Sequence, residues 1–220
     1  MTEPVYGVFL LPDPATSAAV STITFCVERQ FGFVSAGRFP PHATLAGSVP
    51  IRASVSAIVA ALDGVLLGRA GFPVHNAGIV RHGAAVTYDV SCLPDGTRNE
   101  PLVALAADVN AALAPLAHEI DAYLVAPFDA HRFRAHLSLA SHEMHTRADV
   151  ADDVEAFVRA VPAPAVPASF PAERVALFEF RSAGWDGRWW ETLTWRRLRT
   201  WALDAPGVAS ASGVPGAPPA

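Results

Sequence analysis

A five-residue segment occurs twice in this chain. His42-Ala-Thr-Leu-Ala46 returns 94 positions later as His136-Leu-Ser-Leu-Ala140, and Phe72-Pro73 returns 98 positions on as Phe170-Pro171. Each histidine segment is preceded by an apolar run and a helical stretch, then followed by a second helical stretch and a hairpin. A period of nearly half the chain predicts two halves with one order of elements, folded as two similar lobes that face each other. The repeated segments then line the groove between the lobes, where ligands of such folds sit.

Reading along the chain fills in each half. Residues 6–11 are an apolar run stopped by prolines and read as a buried strand. Residues 13–31 read as a helix with Asp13 as N-cap and Pro14 at its first position. A strand at 39–46 is entered through Pro40 and Pro41, and a helix at 52–67 follows. The second half opens from a hairpin, 72–80 and 84–92, around Arg81-His82-Gly83. A helix at 101–118, a strand at 131–140 and a helix at 147–160 come next, and 174–180 with 189–197 form a closing hairpin. The expected fold is α+β: one bilobal domain over 1–204, with two pseudo-symmetric lobes. Each lobe is an antiparallel sheet with helices on its outer face, and the groove lies between them. Residues 205–220 contain only Ala, Gly, Ser, Pro and Val and are expected to be disordered.

Composition narrows the chemistry. All 16 basic residues are arginine. Without lysine there is no Walker-type phosphate loop, no lysine–nucleotide adduct and no Schiff base. A formal net charge of −5 argues against coating long nucleic acid by charge alone, although a small phosphate ligand or an RNA end needs only local cations. Cys26 and Cys92 form no disulfide framework or Cys-x-x-Cys motif and are expected to be buried thiols. The N-terminus lacks a basic region ahead of an apolar one, and no apolar run is long enough to span a bilayer. A soluble, cytoplasmic monomer is the expectation.

Side chains two apart on a strand share a face. His42 and Thr44 therefore point together, as do His136 and Ser138. Facing lobes would bring two imidazoles and two hydroxyls into one groove. That set suits displacement at phosphorus without metal or cofactor. One imidazole accepts a proton from the attacking oxygen, the other protonates the leaving oxygen, and the hydroxyls bond the non-bridging oxygens. Histidine fits both roles because its ordinary pKa is about 6.5. His-x-Ser/Thr alone is a weak signal: with eight histidines, roughly 0.9 matches are expected by chance. The shared Leu-Ala ending and the equivalent places in the repeat add the specificity. The expected sites are His42 and His136 as catalytic residues and Thr44 and Ser138 as phosphate ligands. Arg132 and Arg134 share the parity of His136 and are expected on the groove side as further substrate contacts. Arg38 is a weaker candidate, and Tyr6, Phe9 or one of five tryptophans could stack a base.

With these residues in view, the chain resembles the two-histidine (2H) phosphoesterase superfamily, which includes the 2′-5′ RNA ligase and cyclic phosphodiesterase proteins. The resemblance spans about residues 6–202, including the Phe-Pro-Pro-His entry to the first motif. It implies a two-lobed α+β fold and metal-independent hydrolysis of 2′,3′-cyclic or 2′-5′ phosphodiesters of RNA ends or small nucleotides. Ala135 and Ser141 stand where many bacterial members have proline and arginine. Arg132 and Arg134 are expected to compensate. Two rival readings remain. One is a nucleotide-binding module without catalysis. The other is a zinc hydrolase built on His131, His136, His142 and His145, although His142-Glu-Met-His145 lacks the i, i+4 spacing that puts two rings on one helical face.

Overall fold

The computed structural model describes residues 3–119, 127–162 and 165–205. All but the first residue of the expected disordered tail lies outside them. Strand β1, Val5–Leu10, is buried along its whole length because strands flank it on both sides. Helix α1, Pro14–Phe31, begins where the Asp13 carboxylate accepts the Thr16 N–H at 2.8 Å, and it ends at Gly32, whose φ of 73° favours glycine. Strand β2, Ala43–Pro50, leads to α2, Val55–Leu66, which Ser54 caps. Next come β3, Pro73–His75, β4, Ile79–His82, β5, Ala85–Asp89, and α3, Glu100–Leu113, capped by Asn99. The chain closes with β6, His136–Ala140, α4, Ala151–Ala160, β7, Ser169–Pro171, β8, Arg174–Arg181, and β9, Thr194–Ala202.

The fold is α+β, and the repeat is visible in it. Seven strands form one antiparallel sheet in the order β4-β5-β6-β2-β1-β8-β9, and β3 pairs with β7 in a small second sheet. A pseudo-twofold axis exchanges β2 with β6, β1 with β5 and β4 with β8. It passes between Ala43 and Leu137, the pair that joins the two histidine strands. The lobes are thus two halves of one sheet, joined at a seam with a single registered pair. Each half borrows from the other. Strand β8 completes the sheet beside β1, β4 does so beside β5, α1 packs on β6, and α3 packs on β2.

All four helices' buried faces meet one side of the sheet. Ile23, Ile58, Leu62, Leu102 and Leu105 join Leu10, Leu45, Leu137, Leu139 and Leu177 in the main core. The other side carries a smaller apolar cluster over β1 and β8, centred on Phe9, Phe178, Phe180 and Trp185. Over β2 and β6 that side is open. A Cβ at Gly7 would run into the Phe9 ring and come within 3.2 Å of Phe180, so glycine is what lets the Phe9 ring lie along the strand here.

Several expected strands are shorter or displaced: the 39–46 strand begins only at Ala43, just past His42, and runs to Pro50, and the 84–92 strand covers only Ala85–Asp89. The 131–140 strand begins only at His136. The Asp129 carboxylate accepts the His131 and Arg132 N–H groups, turning the chain before it. Arg132 and Arg134 therefore do not share a strand with His136, and the parity argument for them fails. The 72–80 strand is split where Asn76 Oδ1 accepts the Gly78 N–H and Gly78 adopts φ 101°. Trp189 and Trp190 lie in a 3-10 turn, and the last strand starts at Thr194.

Candidate active site

Both histidines are placed by the same local device. His42 directly precedes β2, and its Nδ1–H donates to the Pro40 carbonyl two residues back at 2.9 Å. His136 opens β6, and its Nδ1–H donates to the Arg134 carbonyl, again two residues back, at 3.0 Å. A carbonyl can only accept, so in each ring Nδ1 carries the proton and Nε2 is left for a ligand. Ala43 and Leu137 point into the helical core. Continuing their register one residue each way sets His42 opposite Ser138 and Thr44 opposite His136. All four of these side chains are half-buried and turn to the face away from the helices. The structure thus brings together the four residues of the two repeated motifs.

They form the floor of a cleft of about 410 Å³. Two aromatic groups supply most of the rest of its lining, with Gly47, Ser48 and Leu193. Phe9, Phe39 and Phe180 pack edge to face with one another. Trp185, Trp189 and His142 form the second group, His142 meeting Trp189 edge-on at 4.8 Å. The first group sets the electrostatics of His42. Phe39 stacks on the imidazole at 4.1 Å, and Phe9 meets it edge-on at 4.6 Å. Protein surrounds the ring except towards the cleft. Loss of solvation pushes its pKa down from 6.5 to about 4, with a smaller contribution from the neighbouring charge of His136.

The arginines are placed differently. Arg132 and Arg134 border an adjoining recess with Phe128 and Phe133, which reaches the cleft across Thr44 and His136. The Arg134 guanidinium folds back onto the His131 and Phe133 carbonyls. Arg38 is outside the cleft and donates to the Glu191 carbonyl. Tyr6 belongs to the helical core, whereas Phe9 is in the cleft lining. Cys26 and Cys92 are free and half-buried. Among the described residues, no group of three or more His, Cys, Asp or Glu side chains is arranged to hold a metal ion, so the 131–145 histidines do not converge there. No helix among these residues is long and apolar enough to cross a membrane.

Two residues escaped the sequence reading. His142 entered the sequence reading only as a candidate zinc ligand, yet it lies in the cleft. Glu143 is buried. Its Oε1 accepts the Val34 and Ser35 N–H groups at 2.7 Å each, and its Oε2 accepts the Ser35 hydroxyl. This ties the turn after β6 to the loop leading into His42, one half clamped to the other. The only sequence signal was an acidic residue inside an otherwise apolar and histidine-rich turn.

The site is a seven-stranded antiparallel sheet that presents two histidines and two hydroxyls, one of each from either half. The sequence model of the 2′-5′ RNA ligase superfamily matches residues 12–184, and the chain belongs to that superfamily, the two-histidine phosphoesterases. Solved structures agree on the fold. LigT of E. coli complexed with NADP+ is 18% identical with a TM-score of 0.53, covering 92% of this chain and 99% of LigT. TT0787 of Thermus thermophilus is 16% identical with a TM-score of 0.56 over the same shares. LigT complexed with 3′-AMP gives 19% identity and a TM-score of 0.50, covering 91% of this chain and 99% of LigT. No curated protein matches the chain in sequence.

Proposed function

We propose that the protein is a metal-independent phosphodiesterase that hydrolyses 2′,3′-cyclic or 2′-5′ phosphodiester bonds of small nucleotides or RNA ends. The observation that carries this reading is the matched pair of imidazoles. Each is anchored through Nδ1 to a carbonyl two residues back and presents Nε2 over a floor of two hydroxyls. Complexes of LigT with NADP+ and 3′-AMP favour a nucleotide ligand.

The depressed pKa of His42 divides the labour. A ring with pKa about 4 is neutral near pH 7, so its Nε2 lone pair takes the proton from the attacking water. His136 is then the acid: as the imidazolium it carries a proton on Nε2 as well as on Nδ1, and it gives the Nε2 proton to the departing ribose oxygen. The water oxygen bonds to phosphorus as the P–O bond to that ribose oxygen breaks, leaving a phosphomonoester and a free hydroxyl. The Thr44 and Ser138 hydroxyls donate to the non-bridging oxygens as charge builds there. Arg132 and Arg134, at the adjoining recess, hold a further phosphate of a longer substrate.

The test is turnover of adenosine 2′,3′-cyclic phosphate in excess EDTA. His42→Ala and His136→Ala should each lower kcat by about 10²- to 10⁴-fold while circular dichroism stays unchanged. Near-normal turnover by either folded variant would remove the assignment. Tight nucleotide binding by wild-type protein without turnover would favour a binding module instead.

A further inference from the structure

The cleft holds three histidines, and the reaction above uses two. The third, His142, opens the 3-10 turn that follows β6. Its position is fixed from both sides. The His142 N–H donates to Ser35 Oγ at 3.2 Å, and the next residue is the buried Glu143. Its ring lies against the buried Trp190, 5.5 Å away and inclined by 19°, and meets Trp189 edge-on. Among the described residues, neither ring nitrogen has a hydrogen-bond partner. Burial lowers the ring's pKa, so near pH 7 it is neutral and offers one donor and one acceptor.

The surroundings of His142 bear on what it meets. Among the described residues, the cleft lining contains no Arg, Asp or Glu. The permanent cations, Arg132 and Arg134, stand in the adjoining recess beyond His136 and Thr44. A second phosphate finds two arginines in that recess, which they share with Asp129. The end formed by Trp189 and His142 suits a flat, uncharged group with polar atoms on its rim. Trp189 is half-exposed and offers a stacking surface, and a neutral imidazole pairs with donors and acceptors alike.

We infer that the His142–Trp189 end of the cleft is a nucleobase seat, in which Trp189 stacks the base and His142 hydrogen-bonds its edge. The inference rests on the phosphodiesterase reading for its substrate. It makes His142 a specificity residue rather than a third acid or base.

The test compares adenosine 2′,3′-cyclic phosphate with glycerol 1,2-cyclic phosphate, which has the same five-membered phosphodiester ring and no base. For His142→Ala the ratio of kcat/KM between the two should fall roughly tenfold, chiefly through KM of the nucleotide. His142→Gln, which keeps a donor and an acceptor, should recover part of that ratio. The pH limbs of kcat should not move. Equal losses on both substrates would overturn the inference, since they would mean a role in chemistry or folding. So would an unchanged ratio. If wild-type protein turns over neither ester, the phosphodiesterase reading fails by itself. Calorimetric binding of adenosine 3′-monophosphate then tests the seat: weaker binding by His142→Ala supports it, and equal affinity overturns it.

Discussion

Phe39→Ala should move the acidic limb of the pH–rate profile upward. Phe39 lies flat on His42 at 4.1 Å, and together with Phe9 it excludes water from the ring. That exclusion penalises the cation and holds the pKa at about 4 rather than 6.5. A general base must be neutral, so kcat/KM should stay high as pH falls until about 4, then drop as His42 becomes protonated. Removing the Phe39 ring admits water on one face while Phe9 still covers another, so about half of the depression should relax and the limb should move to about pH 5. The neutral fraction of His42 then falls about fivefold at pH 4 and about twofold at pH 5, with almost no change at pH 7. The assay is kcat/KM for adenosine 2′,3′-cyclic phosphate from pH 4 to 8 in wild-type and variant protein, with folding followed by circular dichroism at each pH. A limb that stays in place, or moves to lower pH, would refute the reasoning that the aromatic wall makes His42 the base.

Glu143→Ala should cost about 3 kcal/mol of stability, because it removes the acceptor of the buried Ser35 N–H and the half-buried Val34 N–H, leaving the Ser35 hydroxyl with Ser141 Oγ. For a chain of this size that corresponds to a Tm lowered by roughly 6–12 °C in a thermal scan, and an unchanged Tm would show that the clamp contributes nothing. Arg132→Ala and Arg134→Ala should each raise KM by about 2- to 5-fold for a dinucleotide cyclic phosphate and less for a mononucleotide, since both arginines are exposed and salt screens them. Equal effects on both substrates would count against their holding a second phosphate.

The repeat was legible because identical chemistry at equivalent places needs no knowledge of the fold. Two copies of His-x-Thr/Ser-Leu-Ala were enough to bring four side chains to one face, although His42 falls just ahead of β2. The α+β class came from the strand and helix signals along the chain and from the family resemblance. Other features were hidden because they depend on contacts remote in sequence. The pairing of β8 with β1 and the packing of α1 on β6 have no local signature, so the two lobes were expected as separate sheets facing each other rather than as halves of one. Arg132 and Arg134 were misjudged by strand parity because Asp129 caps a turn there, a competing hydrogen bond that period-2 reasoning ignores. His142 lay just beyond the second motif. Its environment is supplied by Trp189 and Trp190, nearly 50 residues further on, which no spacing rule reaches.

The borrowed strand has a consequence for synthesis on the ribosome. Val5 faces Phe180 across the sheet, so β1 cannot close one of its edges until almost the whole domain has been made. At ~5–20 residues per second, β1 waits roughly 9–34 s with an unpaired edge. Pairings this distant also make folding slow, since loop closure must precede the contacts that reward it. A fragment ending before β8 would therefore expose a sticky edge rather than a finished lobe, and nascent chains of this protein should be prone to aggregate until the last hairpin emerges.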